Sequence, residues 1–537
     1  MSTSFADRGN LRRAWARAKA DLAGRTFVRP PFDQAIIEFD LESWLDGLHT
    51  QLATGAYRPR SSLVCDVPKG NGAVRPGMHL RTVDRVVFAA CVGACFQAIH
   101  SAVLWSQHSV DFSYLLSEKP DGDKWLRNSF SGWKEFQNAT LNRITDDVSH
   151  VVFTDITGFY EHVHLAIVMS DLREIGAPDD AIAQLSTCLN RWAECAGKGI
   201  PQGHAPADIL GKLYLNRIDE ALQENGIQHV RYVDDYRIFC GSLTDARRAI
   251  LELTRLLRRR GLSLQNAKTE ILPAEEARLR VNAVSERVLA VKVDFHVAIE
   301  MAIEAHGHYA FNDYSEELLN DDPTSPDNPP SEVLRVAFDR QYLSPYNDEE
   351  SAPVPRKFED STFFHYLLSE LGKRKDPIAV EYCWLLLETN PEETSHICKY
   401  LERLGCIAKS DARTTAFLKS SNSIYDYQFY QLVEWRLKDV TPPTEELLQT
   451  VRGCFQDKTR PSYLHSLCRR FLGEFGTVRD LDRILASYEE THDEWQQCEI
   501  LCCLKRMERV RRNEALTRRS ETPLHVIATK LVRQNLI

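Results

Sequence analysis

RYVDDYRIFC, Arg231 to Cys240, is the stretch on which the reading of this chain turns. Apolar and aromatic residues alternate with polar ones on both sides of Asp234-Asp235, which predicts two short strands meeting at an acidic turn. Two adjacent carboxylates at the tip of a half-buried hairpin repel each other and lose water, a cost that a divalent cation removes. A solvated Asp-Asp turn is the plainer reading of the same residues.

Working outward, HVVFTDITGFYEHV, His150 to Val163, is an apolar run of strand character that ends at Asp155 and is followed by Gly158, Phe159 and Tyr160. A strand delivering Asp155 beside a hairpin delivering Asp234 and Asp235 builds an oxygen-rich pocket of the kind Mg²⁺ takes, with phosphates and waters as further ligands. Two such ions, about 3.5–4 Å apart, activate an attacking hydroxyl and steady a leaving oxygen in phosphoryl transfer. The two stretches together are far more specific than either alone.

The order Asp155 with Phe159-Tyr160, then Ile200-Pro201-Gln202-Gly203, then Tyr232-Val233-Asp234-Asp235, then Gly261-Leu262 with Lys268-Thr269, resembles the palm of a reverse transcriptase. With the fingers-like region before it, the resemblance spans roughly residues 60 to 275. It implies an α+β right-hand polymerase fold of fingers and palm. It also implies catalysis by Asp155, Asp234 and Asp235 on two Mg²⁺ or Mn²⁺ ions, with the backbone carbonyl of Ile156 as a further metal ligand. In the same family pattern Lys268 protonates the departing pyrophosphate, although a surface lysine explains it equally well.

SLVCDVPKGNGAVRPGMHL, Ser62 to Leu80, predicts a strand, a Gly-rich turn and a second strand. The resemblance places Lys69 and Arg75 of this hairpin on the incoming dNTP triphosphate; a plain surface hairpin is the alternative. Tyr160 matches the ring that fills the space of a ribose 2′-hydroxyl and so favours deoxynucleotides, against simple core packing. Gln202 and Gly203 match the turn that seats base and sugar. The departure lies at Ala207-Asp208, where most relatives carry Ser-Pro, and it puts ordinary template-strand contacts in doubt.

Length and composition bound the rest. The 537 residues suffice for two or three domains, and 43% hydrophobic with 26% charged residues is an ordinary globular balance. A net charge of −10 argues against a protein that grips a long duplex by neutralising phosphates. No run of about 18 apolar residues is evident and the N-terminus lacks a secretory core, so a cytoplasmic protein with no membrane partner is expected. The 14 cysteines form no CxxC pair, and Cys91/Cys95 and Cys498/Cys502 fall at helical spacing in apolar stretches, which reads as reduced core thiols.

Along the chain, residues 1–60 read as a helical segment and 61–300 as fingers and palm. Within them, helices are expected over Leu80–Val103, about 123–143 and about Asp245–Arg260, with SLQNAKTEIL returning as a strand. Residues 301–360 are acidic and Pro-rich, a linker or excursion, and 361–537 carry continuous helical periodicity in the manner of a HEAT-like repeat.

A palm without an evident thumb, joined to a helical-repeat C-terminus, is similar to the abortive-infection reverse transcriptases of bacterial phage defence, the AbiK type. That resemblance implies template-independent DNA synthesis primed from the protein's own hydroxyl, a single-stranded DNA product attached to the chain, and a homo-oligomer. Two competitors remain: an RNA-templated reverse transcriptase of the retron or group II intron kind, and an inactive palm serving as scaffold for a helical binding domain.

Overall fold

The computed structural model describes residues 4–294, apart from 25, 118–121, 123, 128, 285 and 293, together with 328–343 and 361–537. It divides into two units. The first holds the residues up to Cys65 with Pro76–Val281, and the second holds Asp66–Arg75 with the residues from Asn282 onward.

The first unit runs α1 (Arg8–Gly24), α2 (Asp33–Phe39), α3 (Leu41–Ala53), the outer parts of a hairpin of β1 (Leu63–Pro68) and β2 (Val74–His79) whose Asp66–Arg75 tip groups with the second unit, α4 (Thr82–Val103), α5 (Ser129–Arg143) and β3 (His150–Asp155). There follow α6 (Phe159–His162), α7 (Leu165–Glu174), α8 (Asp179–Trp192), α9 (Ala205–Glu224), β4 (His229–Tyr232), β5 (Asp235–Cys240), α10 (Leu243–Arg259), β6 (Glu270–Pro273) and α11 (Ala274–Val281). Strands β4-β5-β3-β6 form one antiparallel sheet. Both faces of the sheet are covered, so β3 reads as an apolar run rather than an alternation. Val151 and Phe153 join Phe136, Val230, Phe239 and Ala277 in one core layer beside α5 and α11, while α10 packs on the sheet as well.

Helix α4 is long and apolar enough, by length and composition, to cross a membrane, which the sequence reading did not anticipate. In this fold it is a core helix, packed by α1, α8 and α9, and a helix covered on several sides needs no polar face. Gly93 lets α1 come close: a Cβ there would stand 2.9 Å from Arg17 Nη1. Arg17, from the basic N-terminal run, is itself buried, its guanidinium 4.5 Å from the Trp125 ring.

Two local expectations are corrected. The helix expected from about residue 123 begins at Ser129, because Trp125 is buried and its flanks pair as strand: Ser117 N–H donates to the Trp125 carbonyl and Arg127 N–H to that of Leu115. The strand expected over SLQNAKTEIL is confined to Glu270–Pro273, after a 3₁₀ turn at Asn266–Lys268. Thr269 Oγ1 donates to the Gln265 carbonyl and lies 2.7 Å from Thr154 Oγ1, side-chain bonds that compete with the ladder. Elsewhere Asp40 caps α3, accepting from Ser43 N–H, and α10 is followed by Gly261 at φ +77°.

The second unit is helical throughout its described residues beyond Asn282. Within the stretch expected as linker, Ser331–Leu343 forms helix and seats Phe338 and Leu334 in the core; 301–327 and 344–360 lie outside the described residues. From Ser361 onward, helices end where the sequence breaks: Pro391 opens a 3₁₀ turn, Thr444 and Thr522 cap their helices, and Gly476 closes another. Alternate helices pack on one another: Ser361–Lys373 on Thr394–Arg403, that on Asp426–Arg436, that on Ser462–Phe475.

Candidate active site

The antiparallel register of β3 and β5 sets Asp155 directly opposite Asp235. Asp234 sits in the two-residue turn between β4 and β5, and its carbonyl accepts from Ile156 N–H at 3.2 Å. Three carboxylates thus converge at one end of the sheet, two from the hairpin and one from the strand beside it. Burial, then the charge of Asp155, pushes the Asp234 carboxyl up to about 6. Burial likewise raises Asp235 to about 6, against the pull of Arg237 and with a push from Asp155. Carboxyls that resist ionisation because they are buried, with a further anion beside them, are a fitting seat for a cation.

Lys268 supplies one cation: its Nζ lies 2.7 Å from Asp155 Oδ2, on a side chain that is otherwise exposed. The Ile156 carbonyl accepts no hydrogen bond among the described residues, which leaves its lone pairs available next to the cluster. Asp155, Asp234, Asp235 and that carbonyl form an all-oxygen donor set suited to hard divalent ions.

The hairpin turn is strained. Val233 adopts φ +57°, a left-handed conformation that a β-branched residue rarely takes. Beneath it lies a buried ionic network. Arg231 binds Asp219 through Nε and Nη2 and Asp111 through Nη2, Lys212 binds Asp111 at 2.7 Å, and His229 and Tyr236 both reach Asp219. The Arg231 guanidinium also donates from Nη1 to the Val233 carbonyl. Burial lowers the charge preference of Arg231, but Asp111 and Asp219 more than restore it, and the net shift is upward. Sequence reading missed this network: Arg231 stands beside the motif, yet Asp111, Lys212 and Asp219 carry no local signal.

Tyr160 enters from α6 and is buried; its hydroxyl donates to Asp208 Oδ1 at 2.6 Å. Asp208, with Ala207, is where the chain departs from the expected motif, and its carboxylate accepts from the Tyr160 hydroxyl. Gln202 and Gly203 are half-buried in the turn before α9, where Gly203 takes φ +97°, a conformation open to glycine. The turn is stitched to the Tyr160 segment by Ile200 N–H to the Tyr160 carbonyl and Gly199 N–H to that of Val163. At its far end Asp21 of α1 accepts from Ala205 N–H, supplying an anion to the start of α9.

Asp155, Ile156, Tyr160, Gln202, Gly203, Asp234, Asp235 and Lys268 therefore all belong to the first unit. Lys69 and Arg75 do not: they lie in the β1–β2 tip, which groups with the second unit, Lys69 half-buried and Arg75 exposed.

Residues 67–283 match the family described as reverse transcriptase (RNA-dependent DNA polymerase). The chain thus carries the domain of an RNA-directed DNA polymerase, a nucleotidyltransferase, whose family acts on nucleotides and nucleic acid with divalent metal ions. No curated protein matches the chain. Among solved structures, telomerase from Candida albicans in complex with the TWJ fragment of telomeric RNA aligns at 10% identity, over 80% of this chain and 69% of that one, with a TM-score of 0.31. A likeness that slight carries no argument about this fold.

Proposed function

We propose that the protein synthesises DNA from dNTPs without a template, primed from a hydroxyl of its own chain, as part of anti-phage defence in the bacterial cytoplasm. The observation that carries the polymerase reading is the opposition of Asp155 and Asp235 across β3 and β5 with Asp234 in the adjoining turn. Bound to Asp155, Asp234, Asp235 and the Ile156 carbonyl, two Mg²⁺ ions would activate the attacking hydroxyl and stabilise the charge on the leaving group.

The chain's own groups supply the remainder. The Tyr160 ring, held by Asp208, fills the space of a 2′-hydroxyl and selects dNTPs. Gln202 and Gly203 seat base and sugar. Lys268, released from Asp155 as the nucleotide enters, donates a proton to the departing pyrophosphate.

Independence from a template rests on the resemblance to the abortive-infection group. It is supported by Ala207, which lacks the hydroxyl most relatives carry there, by Asp208 beside it, whose carboxylate is engaged with Tyr160, and by the net charge of −10. The alternate packing of C-terminal helices supports a HEAT-like repeat, a surface suited to building a homo-oligomer.

The test is to incubate nuclease-treated protein with labelled dNTPs and Mg²⁺, without nucleic acid, beside Asp234→Asn, and to resolve both on a denaturing protein gel. Label that stays with the wild-type polypeptide and is absent from the variant is expected. Activity that appears only on adding RNA template and primer would instead identify a templated enzyme of the retron or group II intron kind. Defence that persists in Asp234→Asn would identify a scaffold.

A further inference from the structure

In the second unit, three side chains meet away from the carboxylates. His365 lies on the helix Ser361–Lys373, Glu393 closes the 3₁₀ turn Pro391–Glu393, and His396 stands in the first turn of Thr394–Arg403. Their donor atoms all fall within 4.8 Å of one another. His365 Nε2 is 2.5 Å from Glu393 Oε2, and His396 Nδ1 is 3.5 Å from the same oxygen.

We propose that His365, Glu393 and His396 bind a divalent transition-metal ion, Zn²⁺ by preference, which ties the two helices together.

Two features beside the His365–Glu393 hydrogen bond, the partners of Glu393 and the state of His396 Nδ1, point to a metal. The Glu393 side chain is 3% exposed, and its ion-pair partners among the described residues are the two imidazoles, with no lysine or arginine. The two rings lie face to face, 3.6 Å between centroids and 19° from parallel. His396 Nδ1 is buried and has no hydrogen-bond partner, a cost that a bound cation removes.

The donor set chooses the ion. Two imidazoles and one carboxylate are the mixture that zinc and its neighbours take, with bonds of about 2.0–2.2 Å, whereas Mg²⁺ and Ca²⁺ prefer oxygen alone. Both histidines are partly exposed, which leaves solvent access for water as a fourth ligand. Glu393-x-x-His396 puts two donors on neighbouring turns of one segment, and His365 arrives from a helix that packs against it.

The test uses the full chain stripped with EDTA and titrated with Co²⁺ alone in the presence of excess Mg²⁺, which occupies all-oxygen sites. Visible d–d absorption saturating at one equivalent, and displaced by Zn²⁺, is expected for wild type and for Asp234→Asn. His396→Ala should weaken binding by at least about tenfold, the low end of what even outer-shell changes do. Metal-loaded wild type should also melt above the stripped protein, and His396→Ala should not respond. Far-UV circular dichroism establishes that the variant is folded; if it is not, Glu393→Gln, which keeps the side chain's shape, carries the same comparison. Absorption equal in wild type and the histidine variant, or none in wild type, overturns the site.

Discussion

Arg231 donates from Nη1 to the carbonyl of Val233 at 2.9 Å, and so joins a buried ionic network to the one strained residue in the Asp234 turn. The guanidinium thus anchors the turn that carries Asp234. Arg231→Lys keeps the charge but loses the planar fork that serves two aspartates and a carbonyl at once. Turnover should fall by about tenfold or more, since an ångström of misplacement at reacting groups costs about 10²-fold. Arg231→Met, which leaves Asp111 and Asp219 without their shared cation, should destabilise the first unit by about 3–5 kcal/mol. Initial rates and denaturant unfolding separate the two effects.

Asp234→Asn should abolish dNTP incorporation while making the metal-free protein more stable. Its carboxyl is raised from 3.8 to about 6 by burial and by Asp155, so ionising it opposes folding at neutral pH. Relief of about 1–2 kcal/mol follows from such a shift once shared repulsion is discounted. Thermal melting in EDTA at pH 8 checks it: a variant that melts below wild type would contradict the crowding of charge at the site.

The same shifts make stability depend on pH through proton linkage. Asp234 and Asp235 both have folded-state pKa values raised to about 6 from 3.8, so the folded chain binds these protons more tightly than the unfolded one. The metal-free protein therefore gains stability as pH falls below about 6, and loses that contribution as pH rises through 6. Metal binding runs the other way, because both protons must leave. At limiting Mg²⁺, polymerisation should fall as pH drops through 6, and excess Mg²⁺ should move the midpoint to lower pH.

Tyr160 and Asp208 make a separable pair. Tyr160→Ala should open the sugar site and raise the use of rNTPs relative to dNTPs. Tyr160→Phe keeps the ring, so selectivity should persist, while the lost hydrogen bond to a buried carboxylate should cost about 1–3 kcal/mol of stability. Competition between labelled dNTP and rNTP, read beside a melting curve, distinguishes the roles.

What the sequence disclosed followed from local periodicity. The alternation around Asp234-Asp235, the apolar run ending at Asp155 and the arginines before Gly261 each specify an element within a few residues, and β3, β5 and α10 lie where expected. The Arg231 network was illegible because its members come from a loop, a helix and a strand far apart in the chain. Asp208 was visible as a departure, but its bond to Tyr160 depends on how α6 meets α9. The helix Ser331–Phe338 was masked by the prolines and acids around it, although Val333, Leu334, Ala337 and Phe338 keep helical spacing. His365 stands on a different helix from Glu393-x-x-His396, and no spacing rule connects them.

Asp21 also redraws the limits of the catalytic body. The family match begins at residue 67, yet the carboxylate on the first amide of α9 comes from α1, and α1 shields one flank of α4. A fragment trimmed to the match would bare an apolar flank of α4 and leave the Ala205 amide without this acceptor. The opening helix is therefore a working part of the polymerase body, and expression boundaries drawn from homology alone would cut through it.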